Sequence, residues 1–316
     1  RFDRAHGVGV GAQVVREKSR VSVSVVMPTY NCAPRLLRAL QSVSAQTYRP
    51  IEAIIVDDGS TDDTADRVAE WTANSGANVR YVRQENAGPA AARNHGMRLA
   101  RGDAIAFLDA DDEWRPTKLE KQMPLLKGTV GLVYCASAFV DSSGAPLANY
   151  VRRVELHRGD ILLPLFCDFF LLTSAVVISK AAYRAAGEFD EGLAVGEDYE
   201  FFLRLARKFH ADFVPEELLI RCVRPDSLSR LDYEQDARND IATLAKFLRD
   251  NPDFAQRHRA EIAARLARYR YDFGYRLLAE HRRGEAIREL WTSWRTRPTV
   301  AASKTLVRAL IAGGRT

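Results

Sequence analysis

Residues 103–114 read DAIAFLDADDEW. The run Ala104–Leu108 is continuously apolar, the pattern of a strand buried on both faces. It stops at three carboxylates, Asp109, Asp111 and Asp112. A buried strand ending in clustered acid carries negative charge to the edge of a sheet. Such charges repel unless a cation sits among them or one of them holds a proton. Oxygen donors at this spacing suit Mg²⁺ or Mn²⁺, which take one or two carboxylates together with phosphate oxygens. The competing reading is a solvated acidic turn, with Asp112 doing no more than capping the helix that follows Pro116.

Upstream, the same kind of unit recurs. Val21–Met27 is a β-branched run that Pro28 is expected to end, followed by the loop Pro28–Asn31 and a helix opening near Pro34. Ile51–Val56 is a second strand that runs into Asp57, Asp58, Gly59 and Ser60, with a helix after Thr64. Val79–Val82 is a third, short strand, and a helix rich in alanine then carries Arg93 and Asn94. Strand, loop and helix repeated in this way imply a parallel α/β sheet with right-handed crossovers. Ligands of such sheets bind beyond the carboxyl ends of the strands. Those ends carry Thr29 and Tyr30, Asp57 and Asp58, and Asp109 and Asp111, so three polar clusters meet along one edge.

Further along, Val130–Phe139 and Ser174–Ile178 read as strands, and Gly196-Glu197-Asp198-Tyr199 opens a helix. Taken alone, Asp198 reads as a carboxylate that complements the helix dipole. Ile161–Ile178 is apolar, but Pro164 and Asp168 interrupt it, so it reads as buried core or cleft wall and not as a membrane span. From about Gln235 only helical spacing remains. The expected architecture is therefore α/β, a Rossmann-like, mostly parallel sheet flanked by helices, with a C-terminal helical appendage. The expected division is a poorly ordered leader over 1–20, a catalytic domain over 21–234 and helices over 235–316.

The net charge of +5 is uneven. Residues 1–20 contribute +3 and residues 281–316 contribute +6, which leaves −4 for the body. An acidic body with basic ends argues against a nucleic-acid-binding core and for contact between the tail and an anionic surface. The four cysteines lie far apart without zinc spacing, so reduced thiols and a cytoplasmic setting are expected, with peripheral contact at the inner face of the membrane through the basic helices. The histidines form no ligand spacing, and the glycines at 7, 9 and 11 miss the dinucleotide fingerprint.

The motifs SVVMPTYN (Ser24–Asn31), IIVDDGSTDDT (Ile54–Thr64), ENAGPAAARNHG (Glu85–Gly96), FLDADDEWRPTKLEKQ (Phe107–Gln122) and GEDYEFFLRL (Gly196–Leu205) together resemble the family-2 inverting glycosyltransferases, which have the A-type glycosyltransferase fold. The resemblance spans roughly Val21 to Ser229. It implies that Pro28, Thr29 and Tyr30 pack on the nucleotide base and that Asp57 or Asp58 accepts hydrogen bonds from it. It implies that Arg93 pairs with the acidic cluster or the pyrophosphate. In the D-x-D, Asp109 would lie nearer the ribose, with Ala110 beside it, and Asp111 would be the principal ligand of Mn²⁺ or Mg²⁺. Asp198 would be the catalytic base and Glu197 a neighbour that orients base or acceptor. Many relatives carry a histidine where this chain has Arg224, so a third metal ligand is in question there. Neither Q-x-x-R-W after Asp198 nor multiple spans occur, which argues against a processive synthase.

These expectations describe a non-processive transfer from a UDP-sugar to a saccharide, lipid-linked or protein acceptor. An acceptor hydroxyl is a poor nucleophile at neutral pH, so a carboxylate must take its proton as it attacks. Two other classes compete. A nucleotidyltransferase would want a glycine-rich basic loop after the first strand, where PTYNCAPR stands. A nucleotide-sugar-binding or scaffold protein without transfer activity would have no need of Asp109, Asp111 and Asp198 together.

Overall fold

The centre of the sheet is β1 (Val23–Thr29), flanked by β2 (Ile51–Asp57) and β4 (Ala104–Phe107), with β3 (Val79–Arg83) beyond β2. This is the arrangement in a computed structural model, which describes residues 22–147, 155–193, 195–223 and 233–311. The expectations for residues 1–20 and for Arg224 lie outside the described residues. These four strands are parallel and in register, Val23 opposite Ile51 and Ala104, and Ala53 opposite Val79. The sheet then continues through β7 (Val177–Ser179), β6 (Val130–Val140), β8 (His210–Cys222) and β5 (Asp112–Trp114), to give the order 3-2-1-4-7-6-8-5. Strand β7 runs antiparallel to both β4 and β6, β5 runs antiparallel to β8, and only β6 and β8 are parallel in this half.

Alternation along the strands divides the core in two. Val26, Ile54, Val56, Ile105 and Phe107 face one side, and Val25, Met27, Ala53, Ile55, Ala104 and Ala106 face the other. The second side is covered by α1 (Ala33–Ser44) and α4 (Lys118–Gln122), with Val68 of α2 (Thr64–Ser75) at its margin. The first is covered by α3 (Gly88–Leu99), α5 (Leu162–Cys167), α6 (Lys180–Ala186) and α7 (Glu197–Ala206). Helix α3 lies unusually close to the sheet because a Cβ at Gly96 would stand 2.4 Å from Val26 Cγ1. That approach lowers Arg93, one turn earlier, into the core.

Strand β1 runs through Pro28 to Thr29 and does not stop before the proline. The residues of β1 alternate between partners, and Val26 faces β4, its carbonyl accepting from Leu108 N. Pro28 faces the same way, beyond the last β4 pairing, so no ladder bond needs its missing N–H. Asp112 does not cap a helix: it is buried inside β5 opposite Arg221, and α4 begins only after Thr117. β8 is absent from the sequence-based pattern because Asp212, Pro215, Glu216 and Glu217 interrupt it. The pairing jumps from Val214 to Glu217 opposite Cys135 and Ala136, so a bulge absorbs the proline.

After β8 the described chain is helical: α8 (Tyr233–Asp250), α9 (Pro252–Arg257), α10 (Arg259–Ala279), α11 (Arg283–Thr296) and α12 (Val300–Ile311). Leu244, Phe247, Phe254 and Ile262 join the core cluster that holds α5 and α7, so these helices share apolar packing with the sheet. Among the described residues, no helix is long and apolar enough to cross a membrane.

Candidate active site

The parallel strands deliver their polar ends to one edge, where two acidic clusters face different surroundings. At the end of β2, Asp57 is buried and accepts from Ser60 N at 2.7 Å and from the Tyr81 hydroxyl. Burial first, and then this carboxylate, push the Tyr81 phenol far above its ordinary value. Asp58 accepts from Gln84 Nε2 at 2.9 Å, Ala87 N at 2.9 Å and Gly88 N at 2.8 Å, which ties the start of α3 to β2. Five protein donors therefore engage the pair. At the end of β1, Asn31 adopts φ 47° and its side chain accepts from Thr61 N at 2.8 Å, while its N–H donates to Ser60 Oγ. The β1 and β2 loops are thus stapled together, and Tyr30 is left standing out, 51% exposed.

At the end of β4 the balance is different. The buried guanidinium of Arg93 donates to Asp109 Oδ1 at 2.9 Å through one Nη and to Glu197 Oε1 at 2.7 Å through the other. Phe189 supports it from one side, its ring centroid 5.7 Å from the guanidinium carbon, and Asn94 fixes Phe189 by bonding both its N–H and its C=O. Arg93 Nε is buried without a hydrogen-bond partner, so its bonds to the two carboxylates are made by the Nη groups alone. These carboxylates hold its pKa above the ordinary value, although burial alone would lower it. Asp112, buried beside Asp109 and Asp111, is pushed up to about 8, by burial first and then by its neighbours' charges. Ala110 is buried between the two acids, and its carbonyl accepts weakly from the Cys32 thiol at 3.9 Å.

Asp198 lies in the first turn of α7. Its Oδ1 accepts from Tyr199 N at 2.8 Å and its Oδ2 from Thr173 Oγ1 at 3.2 Å. The protein around its carboxyl, followed by the charge of Glu197, pushes it up to about 7, and Arg93 draws it back. The single turn Thr173–Ala175 serves both acidic groups at once. Thr173 reaches Asp198, while Ser174 Oγ accepts from Asp109 N at 3.0 Å and the Ser174 carbonyl accepts from Trp114 Nε1 at 2.8 Å. Neither residue is singled out by the sequence reading. Their only signal is a Thr-Ser pair inside an apolar run, and hydroxyls there serve many structural ends.

Of the residues expected at the site, Arg93, Asp109, Glu197 and Asp198 form one contiguous cluster, with Ala110 and Asp111 beside it. Asp57 and Asp58 lie at the end of β2, with β1 between it and β4, and are engaged by protein donors. Among the described residues, no group of three or more His, Cys, Asp or Glu is arranged to hold a metal. The donor set at β4 is two neighbouring carboxylates, Asp109 and Asp111, beside an acid whose proton is retained by burial first and then by their charges. That set fits a divalent cation that completes its shell with phosphate oxygens and not one enclosed by protein.

Residues 24–174 match the family model described as Glycosyl transferase family 2. Among curated proteins, the amylovoran biosynthesis glycosyltransferase AmsB of Erwinia amylovora is 31% identical over 194 residues, 58% of this chain and 64% of that one. Chondroitin synthase of Escherichia coli is 30% identical over 223 residues, 65% of this chain and 32% of that one. The chain thus spans between about a third and two thirds of the length of these relatives. Among solved structures, residues 1–349 of TarS from S. aureus superpose with TM-score 0.66 at 18% identity, covering 91% of this chain and 88% of that one. The mannosyltransferase PcManGT of Pyrobaculum calidifontis, solved with GDP-Man and Mn²⁺, superposes with TM-score 0.64 at 20% identity, covering 93% and 81%. At these identities the structures establish a shared fold.

Proposed function

Because the chain belongs to glycosyltransferase family 2 and has the A-type glycosyltransferase fold, we propose that it moves a sugar from a nucleoside diphosphate sugar, read as a UDP-sugar, to an acceptor hydroxyl with inversion. The observation that carries this reading is the Arg93 bridge. One guanidinium holds Asp109, on the donor side, and Glu197, next to the base, so the two halves of the reaction are fixed relative to each other.

Asp198 acts as the general base. A carboxyl with a pKa near 7 can accept a hydroxyl proton far better than an ordinary aspartate while still being largely ionised just above neutrality. Thr173 and the Tyr199 N–H orient it. Glu197 stays paired to Arg93, and its negative charge helps keep the Asp198 pKa high. Tyr30, with Pro28 and Thr29 beneath it, offers an exposed ring to the nucleotide base, and Asp57 and Asp58 shape the wall beside it. Asp109 and Asp111 would hold Mn²⁺ or Mg²⁺. Bound there, the cation would offset the charge gathering on the departing diphosphate. Arg93 is already committed to two carboxylates, so its part is positioning and not contact with the pyrophosphate.

The names of AmsB and chondroitin synthase support polysaccharide assembly as the process, with a saccharide as the acceptor ahead of a lipid-linked or protein one. The donor reading is tested by thermal melting. UDP with Mn²⁺ should raise Tm, as must any ligand selective for the folded state. No shift with UDP, GDP or other nucleoside diphosphates, with or without metal, would sink it.

The place of action is read as the cytoplasmic face of a membrane. Val300, Lys304, Val307, Arg308 and Ile311 fall on one face of α12 at spacings of three and four, and its apolar members are exposed, Val300 by 72% and Ile311 by 69%. Exposed apolar side chains among basic ones suit anionic lipid. The protein should float with phosphatidylglycerol vesicles and not with phosphatidylcholine ones. Equal flotation after Val307→Glu with Ile311→Glu would remove α12 from the argument.

A further inference from the structure

The stretch Trp114–Gln122, WRPTKLEKQ, follows the acidic turn at the end of β4 and spends its polar side chains inside the protein. Lys118 and Gln122 are fully buried and Trp114 nearly so. Burying an amide costs free energy unless its donors are met. Both donors of Gln122 are met, and the partners they have found lead to the base.

Gln122 Nε2 donates to Val133 O at 3.1 Å and to Ala175 O at 2.9 Å. Val133 and Val177 form the last pairing between β6 and β7, so Ala175 lies just beyond the point where those strands part. The amide bridges the two chains there. One residue earlier, Ser174 O accepts from Trp114 Nε1 at 2.8 Å. The indole is held in turn: Trp114 N donates to Ser42 Oγ at 3.1 Å, and Lys118 Nζ stands 4.1 Å from its ring centroid, a cation–π contact. Gln46, just past α1, anchors the whole stretch. Its Oε1 accepts from Leu119 N at 3.1 Å and its Nε2 donates to Arg115 O at 2.9 Å.

The turn gripped in this way, Thr173–Ala175, is the one that meets the acids. The Thr173 hydroxyl donates to Asp198 Oδ2 at 3.2 Å, and Ser174 Oγ accepts from Asp109 N at 3.0 Å. Two successive carbonyls are thus held by residues 114–122, and two successive hydroxyls are bonded to residues of the site. A shift of the turn breaks bonds at both.

We infer that Gln122 is a positioning residue for the base: acting through the Thr173–Ala175 turn, it holds the Thr173 hydroxyl on Asp198. Trp114 supports the same turn from the neighbouring carbonyl. Without the amide, the Val133 and Ala175 carbonyls each lose a donor, and the turn is released to find others. The inference rests on Asp198 being the base, and it gives the second half of the D-x-D motif stretch a part in transfer.

Carbon-13 NMR of the full chain, labelled at the aspartate carboxyls and read against Asp198→Asn, follows the ionisation of Asp198 directly. The Thr173 hydroxyl favours the ionised form, so the midpoint, about 7 in the wild type, should rise by about one pH unit in Thr173→Val. Gln122→Met, close in size but without donors, should move it the same way. The double variant should go no further than Thr173→Val alone, because the two residues act through one bond. Asp198 also feels the charges of Glu197 in α7 and Arg93 in α3, which these variants leave in place. Gln122→Glu, which stays protonated when buried and keeps one O–H donor, should fall between the wild type and Gln122→Met, and it carries the comparison if Gln122→Met does not fold. Ser293→Ala, which removes a buried hydroxyl from α11, should leave the midpoint where it was. A midpoint indifferent to both Gln122 substitutions, or one that adds to the effect of Thr173→Val, would overturn the assignment. With such a result, loss of UDP release from UDP-glucose and UDP-N-acetylglucosamine in Asp198→Asn would leave the base standing and sink the coupling alone. Undiminished UDP release in Asp198→Asn, with the midpoints moving as expected, would sink the base instead.

Discussion

The ends of β2 and β4 are both acidic, yet only one of them is electrostatically settled. Asp57 and Asp58 are met by five N–H and O–H donors from the protein, which tie the β2 loop to β3 and α3. At β4, Asp109 shares a single guanidinium with Glu197, and Asp112 keeps its proton to about pH 8 because of burial and its neighbours' charges. The difference teaches how to read an acid cluster. Where backbone and side-chain donors fill the carboxylates, the acids act as scaffold. Where burial and neighbouring charges crowd a carboxyl, as at Asp112, the acid holds its proton instead of being filled by donors.

Asp198 belongs with the second cluster, and the largest effect is expected there. Asp198→Asn should lower the rate of transfer by about 10²–10⁴-fold, the usual contribution of a positioned base, while the melting shift with UDP and Mn²⁺ persists. In the wild type, transfer should rise with pH through about 7 as the carboxyl ionises. Stability should move the opposite way. A carboxyl raised from 3.8 to about 7 binds its proton more tightly in the folded state, so stability falls as pH rises between those values. The advantage of Asp198→Asn in Tm should therefore be larger at pH 8 than at pH 4. A pH-independent difference, or undiminished transfer, would separate Asp198 from the reaction.

A smaller effect divides the clusters themselves. Asp58→Asn should cost about 3 kcal/mol, because an amide NH₂ would face donors at Gln84, Ala87 and Gly88 that are now satisfied. Asp111→Asn should cost less stability than Asp58→Asn, yet abolish the metal-dependent part of the UDP melting shift. If chemical denaturation gave the two variants the same loss, the distinction between scaffold and site would fail.

Much of this is legible in residue order. The parallel block shows itself because Ile51–Asp57 and Ala104–Phe107 are apolar runs closed by acid, and strands buried on both faces have no polar alternation to blur them. The helix start at Glu197 shows itself because acidic residues follow Gly196 and precede an apolar face. β5 and β8 are not legible. Asp112-Glu113-Trp114 is too short to carry a period, and Pro215 with its acidic neighbours is tolerated because β8 itself bulges there, Pro215 and Glu216 falling outside the pairing with β6. Asp112 itself misleads, since a carboxylate before Pro116 resembles a cap until its pairing with β8 buries it.

By itself the sequence determined which residues end the strands, since hydrophobic runs and the acids that stop them are local properties of the chain. Tertiary structure decided which of those acids are spent on the scaffold. That depends on donors far away in sequence: Tyr81 for Asp57, the start of α3 for Asp58, and Arg93 divided between Asp109 and a glutamate 104 residues further along. Only packing brings such groups within bonding distance, because the energy of a buried charge is set by what surrounds it and not by what precedes it.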